Sequence, residues 1–217
     1  MKTAYLLPVL FIFCLGACKN ESGTGTSTSE ATIAAPSNPT SSSNDVSSLE
    51  TLDHNFNVTP EGSRLFFKGF FQNSLVDAAM TVNKGTVHIK NGNIVSANLN
   101  LDMRTIEMIS NRSTPVETFM KSANVFDAAK FQNGTMIIEE SNKAVNDQEA
   151  THILKGKIEL HGKSVPVTVR ARIDYKPKFV TILSDQIIIK GSDLGIKMAN
   201  PTQENIYFSL TLNAELF

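Results

Sequence analysis

Histidines, cysteines and paired carboxylates are the side chains that most often catalyse reactions or bind metals, and this sequence spaces them widely. The four histidines are His54, His88, His152 and His161, and no HExxH, GxSxG or CxxC motif occurs. His152 and His161 flank one predicted strand, so they lie about 30 Å apart at a rise of about 3.3 Å per residue. They cannot share a metal, and the sequence favours a protein that is not an enzyme.

Three further groups of polar residues have structural explanations. Gly162-Lys163-Ser164 is similar to the end of a phosphate-binding loop, but it lies between two predicted strands rather than before a helix. Asp102 with Arg104, and Asp127 with Lys130, are interpreted as corner and cap residues rather than acid–base pairs. Catalysis therefore stays a minor alternative.

Cys18 has the most specific covalent chemistry in the sequence. Residues 4–15 form an apolar run that contains Pro8 and is shorter than the about 20 residues of a transmembrane helix. The run ends in Leu15-Gly16-Ala17-Cys18, which resembles the bacterial lipobox, where the cysteine receives a thioether-linked diacylglycerol. We expect residues 1–17 to be a lipoprotein signal peptide and Cys18 to be lipidated. The alternative is an ordinary signal peptide with an incidental cysteine.

The same segment predicts the location of the protein. Several acyl chains on Cys18 would anchor it stably to a membrane, because each buried CH₂ contributes about 0.8 kcal/mol. Residue 19 is Lys and not Asp, so no simple signal for inner-membrane retention is present. By resemblance, we expect the protein at the outer membrane of a Gram-negative cell envelope. It could face either the periplasm or the cell surface.

Composition separates a tether from one globular domain. The 217 residues carry 20 Lys and Arg against 21 Asp and Glu, and this balance argues against a nucleic-acid partner. Residues 18–52 are rich in serine and threonine, with few large apolar side chains. They predict a flexible linker that spans about 30 Å between the membrane and the domain at 53–217.

Residues 53–217 alternate apolar and polar side chains, which is typical of strands with one face in an apolar interior. The alternation is clearest at 94–102, 165–174 and 207–217. Further strands are predicted at 64–71, 85–89, 135–140, 152–160 and 179–190. The turns Asn91-Gly92-Asn93 and His161-Gly162-Lys163 are short, so neighbouring strands must be antiparallel. About eight such strands predict an all-β sandwich or closed barrel.

One segment interrupts the strand pattern. Thr114 as N-cap, Pro115 as first helical residue and Glu117 as third predict a capping box and a short helix through about Ser122. Residues 124–130 predict another helical turn, with Phe126 and Phe131 pointing the same way. Such an insert is expected to plug or cover one end of the β-domain.

The order of three segments resembles the YceI family. These are VSANLNLDMRTI at 95–106, FMKSANVFDAAKFQNGTM at 119–136 and LKGKIELHGKSVPVTVRARI at 154–173. The resemblance covers residues 81–217 well and 53–80 weakly. The chain departs from the family pattern where Phe119-Met120 replaces a frequent histidine, and no H-x-G occurs near 73–80, so a polar contact to the ligand head group is in doubt.

This resemblance implies a lipocalin-like, eight-stranded antiparallel β-barrel that needs no cofactor. Family members with known ligands hold a polyisoprenoid or another long amphiphile inside the barrel, and members often form homodimers. The resemblance thus implies non-catalytic carriage or sequestration of an isoprenoid, quinone or fatty-acid derivative. The alternative is an envelope-anchored domain that binds protein or glycan without a small-molecule ligand.

The residues expected to face the interior are mostly small, which favours a tunnel for a threadlike chain; a dry, filled core is the alternative. Three phenylalanines are expected either to line the mouth or lid of the tunnel or to pack the helix onto the barrel. They are Phe119, Phe126 and Phe131. The candidates for ligand contact are Val95, Ala97, Leu99, Leu101, Phe119, Phe126, Phe131, Ile158, Val167, Val169, Phe208, Leu210 and Leu212.

Overall fold

The computed structural model describes residues 53–72, 74–198 and 200–217. The signal peptide, Cys18 and linker predicted from the sequence lie outside these ranges. The helix α1 spans Thr114–Lys121, and two 3₁₀ helices span Gly191–Leu194 and Pro201–Gln203. The strands of the described residues are β1 (Asp53–Val58), β2 (Arg64–Phe71), β3 (Ser74–Lys90), β4 (Asn93–Met108), β5 (Asn133–Lys143), β6 (His152–Leu160), β7 (Lys163–Lys176), β8 (Phe179–Ser184), β9 (Ile187–Lys190) and β10 (Asn205–Leu216).

The sheet closes on itself as a ring of eight antiparallel strands within the described part of the chain. The order is β2-β3-β4-β5-β6-β7-β8-β10, and β10 pairs again with β2. Two short strands extend the ring: β1 pairs with β3 and β10, and β9 pairs with the first half of β10. The predicted all-β, eight-stranded antiparallel barrel is confirmed.

The described residues belong to one compact unit that holds every strand pairing and the buried core. Because the ring closes through its own strands, a fragment of residues 42–217 keeps all the contacts of the fold. No helix in the described ranges has the length and apolar character needed to cross a bilayer.

Two predicted hairpins are confirmed in detail. Asn91 and Gly92 connect β3 to β4 with φ of 52° and 72°, and His161 and Gly162 connect β6 to β7 with φ of 50° and 72°. Positive φ at both central residues is the type I′ turn, whose twist matches that of the flanking strands. These turns fix the register of both hairpins.

The first part of the barrel was harder to predict. β1 and the first half of β3 had no predicted strand. In β3 the residues Ala78, Ala79 and Met80 are all buried in succession, because the register shifts at a bulge between Ala79 and Thr81. A bulge breaks the two-residue period on which the prediction depends.

The helix forms as predicted, but its N-terminus differs. Ser113 rather than Thr114 is the N-cap, and its side chain makes no capping hydrogen bond. The Glu117 carboxylate accepts from the backbone N–H of Met108, so it ties α1 to the end of β4 instead of closing a capping box. Residues 124–130 form turns rather than a helix, with Asp127 at φ 45°.

Large side chains fill the interior, which corrects the expectation of few bulky residues there. Five of the twelve largest come from β4, and the others come from β2, β3, α1, the segment after α1, β5 and β10. The largest fully buried side chains are Phe67, Phe126, Phe208, Leu65, Met80, Ile94, Leu99, Leu101, Met103, Ile106, Met120 and Met136.

The two ends of the barrel differ. The helix end carries α1 and the β2–β3 connection, and the opposite end, which we call the Gly92 end, carries the β3–β4 turn. At the Gly92 end, the Tyr175 hydroxyl and His152 Nε2 each donate to the Gly92 carbonyl at 2.9 Å. Because the Gly92 carbonyl can only accept, the proton lies on Nε2, and Nδ1 accepts from the Thr151 hydroxyl at 2.8 Å. These contacts join β6 and β7 to the β3–β4 turn across the Gly92 end.

Burial lowers the pKa of His152 from 6.5, and the nearby Lys143 charge lowers it further, against the opposing effect of the Gly92 hydrogen bond. As pH falls through 6.5, the unfolded chain takes up a proton that folded His152 resists. Folding stability should therefore decrease below pH 6.5.

We expect His152→Gln to weaken the dependence of the unfolding free energy on pH between 7.5 and 5.5, as measured by urea denaturation. His54→Gln, at a half-buried position in β1, is the matched control and should keep the dependence of the unmodified chain. Equal pH dependence in the His152→Gln variant and the unmodified chain would contradict the assignment.

Candidate ligand-binding site

Predominantly apolar side chains line the interior of the ring, which we call the bore. Most of the residues predicted to contact a ligand have side chains buried in it. These are Ala97, Leu99, Leu101, Phe126, Ile158, Val167, Val169, Phe208, Leu210 and Leu212. Contact of these residues with a ligand stays a prediction.

Val95 does not face the bore, so its predicted position is wrong. His88 pairs with Ser96 and Ile89 pairs with Ile94, which leaves Val95 as the extra residue of a bulge. Its side chain is 43% exposed on the outer wall, and Ile94 takes the buried position instead. The alternation in the sequence does not show where such a bulge inserts.

Phe119 and Phe131 are half-buried and occupy different places at the helix end. Phe119 lines the clefts beside α1. Phe131 packs its ring edge-on to His161 with centroids 5.1 Å apart, and Lys130 Nζ lies 5.0 Å from its centroid. Phe131 thus packs at the β6–β7 turn and does not point the same way as Phe126.

A cleft of about 530 Å³ opens at the helix end. A smaller cleft of about 200 Å³ adjoins it and shares Phe71, Gln72 and Phe119. Apolar side chains line much of the larger cleft, and Gln72, Asn124 and Lys197 supply its polar groups. Its remaining lining residues are Phe71, Phe119, Ala123, Val125, Gly195 and Met198.

Phe126 lies fully buried next to this cleft, in a cluster of aromatic rings. Its centroid is 5.3 Å from that of Phe67 and 6.4 Å from that of Phe71, and Phe67 also lies 6.2 Å from Phe208. The other three rings belong to β2 and β10, whereas Phe126 belongs to the irregular segment between α1 and β5. Phe126 is therefore the ring of this cluster that can move without breaking the sheet.

The sequence contained a signal for this cluster. In the predicted strand at 64–71, a period of two from Leu65 places Phe67 and Phe71 on one face, and both are buried. The contributions of Lys197 and Met198 to the cleft had no such signal, because these residues follow a 3₁₀ helix and lie in no periodic element.

A second cleft of about 690 Å³ lies at the Gly92 end. Its lining includes His152, Ile173 and Tyr175, with Lys143 and Lys176 among its basic side chains. Burial strongly raises the pKa of the Tyr175 hydroxyl, so it remains a hydrogen-bond donor to Gly92. This cleft lies where the hydrogen bonds from His152 and Tyr175 to Gly92 cross the end of the bore.

The acidic and basic pair singled out in the sequence is structural. Arg104 donates from Nε and Nη2 to the two carboxylate oxygens of Asp102 at 2.9 and 2.8 Å. This guanidinium holds the pKa of the Asp102 carboxyl below its usual value. Within the described residues, no group of three or more His, Cys, Asp or Glu side chains could hold a metal ion.

Comparison with known proteins agrees with this architecture. The sequence profile of the YceI-like domain matches residues 56–216. The fold is similar to that of Burkholderia cenocepacia BcnA, at 15% identity and a TM-score of 0.56, over 72% of this chain and 99% of BcnA. A comparison with curated proteins finds no match.

A second solved structure shows the same fold. It is a polyisoprenoid-binding domain from Saccharophagus degradans implicated in plant cell wall breakdown. It shares 13% identity and a TM-score of 0.54 with this chain, over 75% of this chain and 98% of that domain. Since the family profile spans nearly the whole described barrel, this chain belongs to the YceI-like domain family.

Proposed function

We propose that this domain binds one long apolar or amphipathic lipid chain inside its barrel and carries or sequesters it without catalysis. The ligand class is an isoprenoid, a quinone or a fatty-acid derivative. The predominantly apolar burial on every strand of the ring is the observation that carries the proposal. Family membership, and the polyisoprenoid binding stated for the Saccharophagus degradans domain, support the same ligand class.

The chain enters from the helix end in this proposal. At the Gly92 end, hydrogen bonds from Tyr175 and His152 to Gly92 cross the end of the bore. At the helix end, the open cleft lies against Phe126, which is not held in the sheet. The chain takes the place of the Phe126 ring, and its polar head group remains near Gln72, Asn124 and Lys197.

Methionines in the bore allow the interior to adapt to such a guest. Met80, Met103, Met120 and Met136 are each fully buried. Methionine is unbranched and has three rotatable bonds, so it repacks around a new shape at low cost. A bore with this lining accepts a flexible chain without the exact fit that a rigid ring system requires.

Apolar contact alone supplies sufficient binding energy. Each buried CH₂ contributes about 0.8 kcal/mol, so a chain of about twenty carbons gains about 16 kcal/mol. Loss of free motion and displacement of Phe126 together cost about 8 kcal/mol. The remaining about 8 kcal/mol corresponds to a micromolar dissociation constant.

A pair of neighbouring substitutions tests binding inside the bore. Ala97 is buried and Val95 faces outward on the same strand, so we expect Ala97→Phe to weaken binding of a fluorescent fatty-acid probe at least about tenfold. Val95→Phe is the matched control and should bind like the unmodified chain. Ala97→Leu, a smaller addition, serves if Ala97→Phe does not fold.

Native mass spectrometry of the protein purified from its own host gives the direct measurement. We expect the added mass of one lipid chain per barrel. A barrel that carries no lipid and does not bind the probe would refute the proposal, and equal weakening by Ala97→Phe and Val95→Phe would place the ligand outside the bore.

We also propose that Cys18 is lipidated and anchors the domain to the bacterial outer membrane. Metabolic labelling with radioactive palmitate should label the unmodified chain, because acylated lipoproteins retain the fatty acid through gel electrophoresis. Cys18→Ser should lose the label, whereas Cys14→Ser, in the apolar run of the signal peptide, should keep it. Label that persists in Cys18→Ser would contradict the anchor.

A further inference from the structure

Five exposed apolar side chains lie together on the outer wall of the barrel at the helix end. Leu75 is 52% exposed and Ile188 is 59% exposed, so they are not part of the core. We call this group the apolar band, and it consists of Phe70, Leu75, Ile109, Ile188 and Tyr207.

Strand register makes the band contiguous. Ile188 on β9 lies opposite Tyr207 on β10, and Tyr207 lies opposite Lys68 on β2. Phe70, two residues after Lys68, projects from the same outer face and lies opposite Leu75 on β3.

Ile109 extends the band beyond the end of β4. Its backbone N–H donates to the carbonyl of Asp77 at 2.9 Å, and Asp77 lies two residues after Leu75 on β3. The band therefore crosses from β9 through β10, β2 and β3 to the end of β4.

The band continues into the clefts of the helix end. Phe70 precedes Phe71, which lines both clefts, and Leu75 follows Ser74, which lines the smaller one. Lys68 and Asp77, which form an ion pair at 3.7 Å, lie on the same outer face between members of the band.

Basic side chains surround the same end. Lys121 at the end of α1, Lys163 at the β6–β7 turn and Lys197 in the cleft have no ion-pair partner among the described residues. Lys130 Nζ lies over the ring of Phe131 and forms no ion pair within the described part of the chain. Among the described residues of this end, the carboxylates without an ion-pair partner are Glu117, Asp127 and Asp193, so the unpaired side chains carry a small positive excess that attracts anionic groups.

We propose that the apolar band and these lysines dock the helix end on a bilayer that contains anionic phospholipids. The inference rests on the proposed lipid binding, because docking would let the chain pass between bilayer and bore. A bilayer fits better than a second copy of this chain. A symmetric dimer through the band would bring the lysines of the two copies together, where like charges repel.

Vesicle flotation tests the docking. The fragment 42–217 lacks Cys18, so any binding comes from the domain itself. We expect it to float with vesicles of phosphatidylethanolamine and phosphatidylglycerol, and to bind less at high salt, which screens the lysines. Vesicles of phosphatidylethanolamine and phosphatidylcholine should bind it more weakly.

Substitutions in the band identify the surface. Leu75→Ser, Ile109→Ser and Ile188→Ser together should lower the vesicle-bound fraction about tenfold. The matched control is Phe179→Ser with Leu183→Ser, which removes two exposed apolar side chains from β8 and should float like the unmodified fragment. Circular dichroism verifies that each variant folds.

Substitutions of the basic rim test the charge. Lys121→Gln, Lys163→Gln and Lys197→Gln together should remove the preference for phosphatidylglycerol. Equal flotation of the band variant, the rim variant and the unmodified fragment would overturn the proposal. A dimer that the band variant loses, with no flotation in any sample, would also overturn it and assign the band to a second copy.

A separate readout distinguishes docking from ligand binding. In solution without vesicles, the band variant should bind the fluorescent fatty-acid probe as tightly as the unmodified fragment, but extract it from vesicles more slowly. If the unmodified fragment floats and does not bind the probe, the proposed function fails while the docking surface stands.

Discussion

Closure of the sheet is the constraint on which the rest of this molecule depends. Antiparallel pairing of β10 with β2 on one side and β8 on the other leaves no open edge in the ring. Each inward side chain then meets other inward side chains rather than water, and so is apolar with few exceptions. The same closure means that a ligand can reach the interior only through one of the two ends. The contrast between the helix end and the Gly92 end therefore determines where a ligand would enter.

The seam of the ring is held by more than the strand ladder. The buried Ser63, between β1 and β2, accepts from the backbone N–H of Asn213 on β10 at 3.0 Å. Its own carbonyl accepts from Val82 on β3 at 3.0 Å. One small residue therefore links β10 and β3 where the chain switches from β1 to β2. Its neutral hydroxyl satisfies backbone groups that a hydrophobic residue would leave unpaired.

Local signals predicted the parts of the fold that follow local rules. The strands at 64–71 and 152–160 and the two hairpin turns were predicted because alternation and turn chemistry are properties of neighbouring residues. Val95 could not be placed correctly, because its bulge is set by pairing between β3 and β4. The role of Glu117 was missed for a similar reason, since its partner Met108 belongs to another element. Phe126 was expected at the mouth, but its burial against Phe67 depends on long-range packing.

A bore that is crossed by hydrogen bonds at one end and covered by a movable ring at the other has a fixed depth. For a ligand of the proposed class, the hydrogen bonds to Gly92 set how far a chain can penetrate, whereas the pliable methionines place little demand on its cross-section. Carbons beyond that depth would stay outside the barrel, in contact with water or with bilayer. Selection among otherwise similar lipids would then follow chain length more than branching or head-group shape.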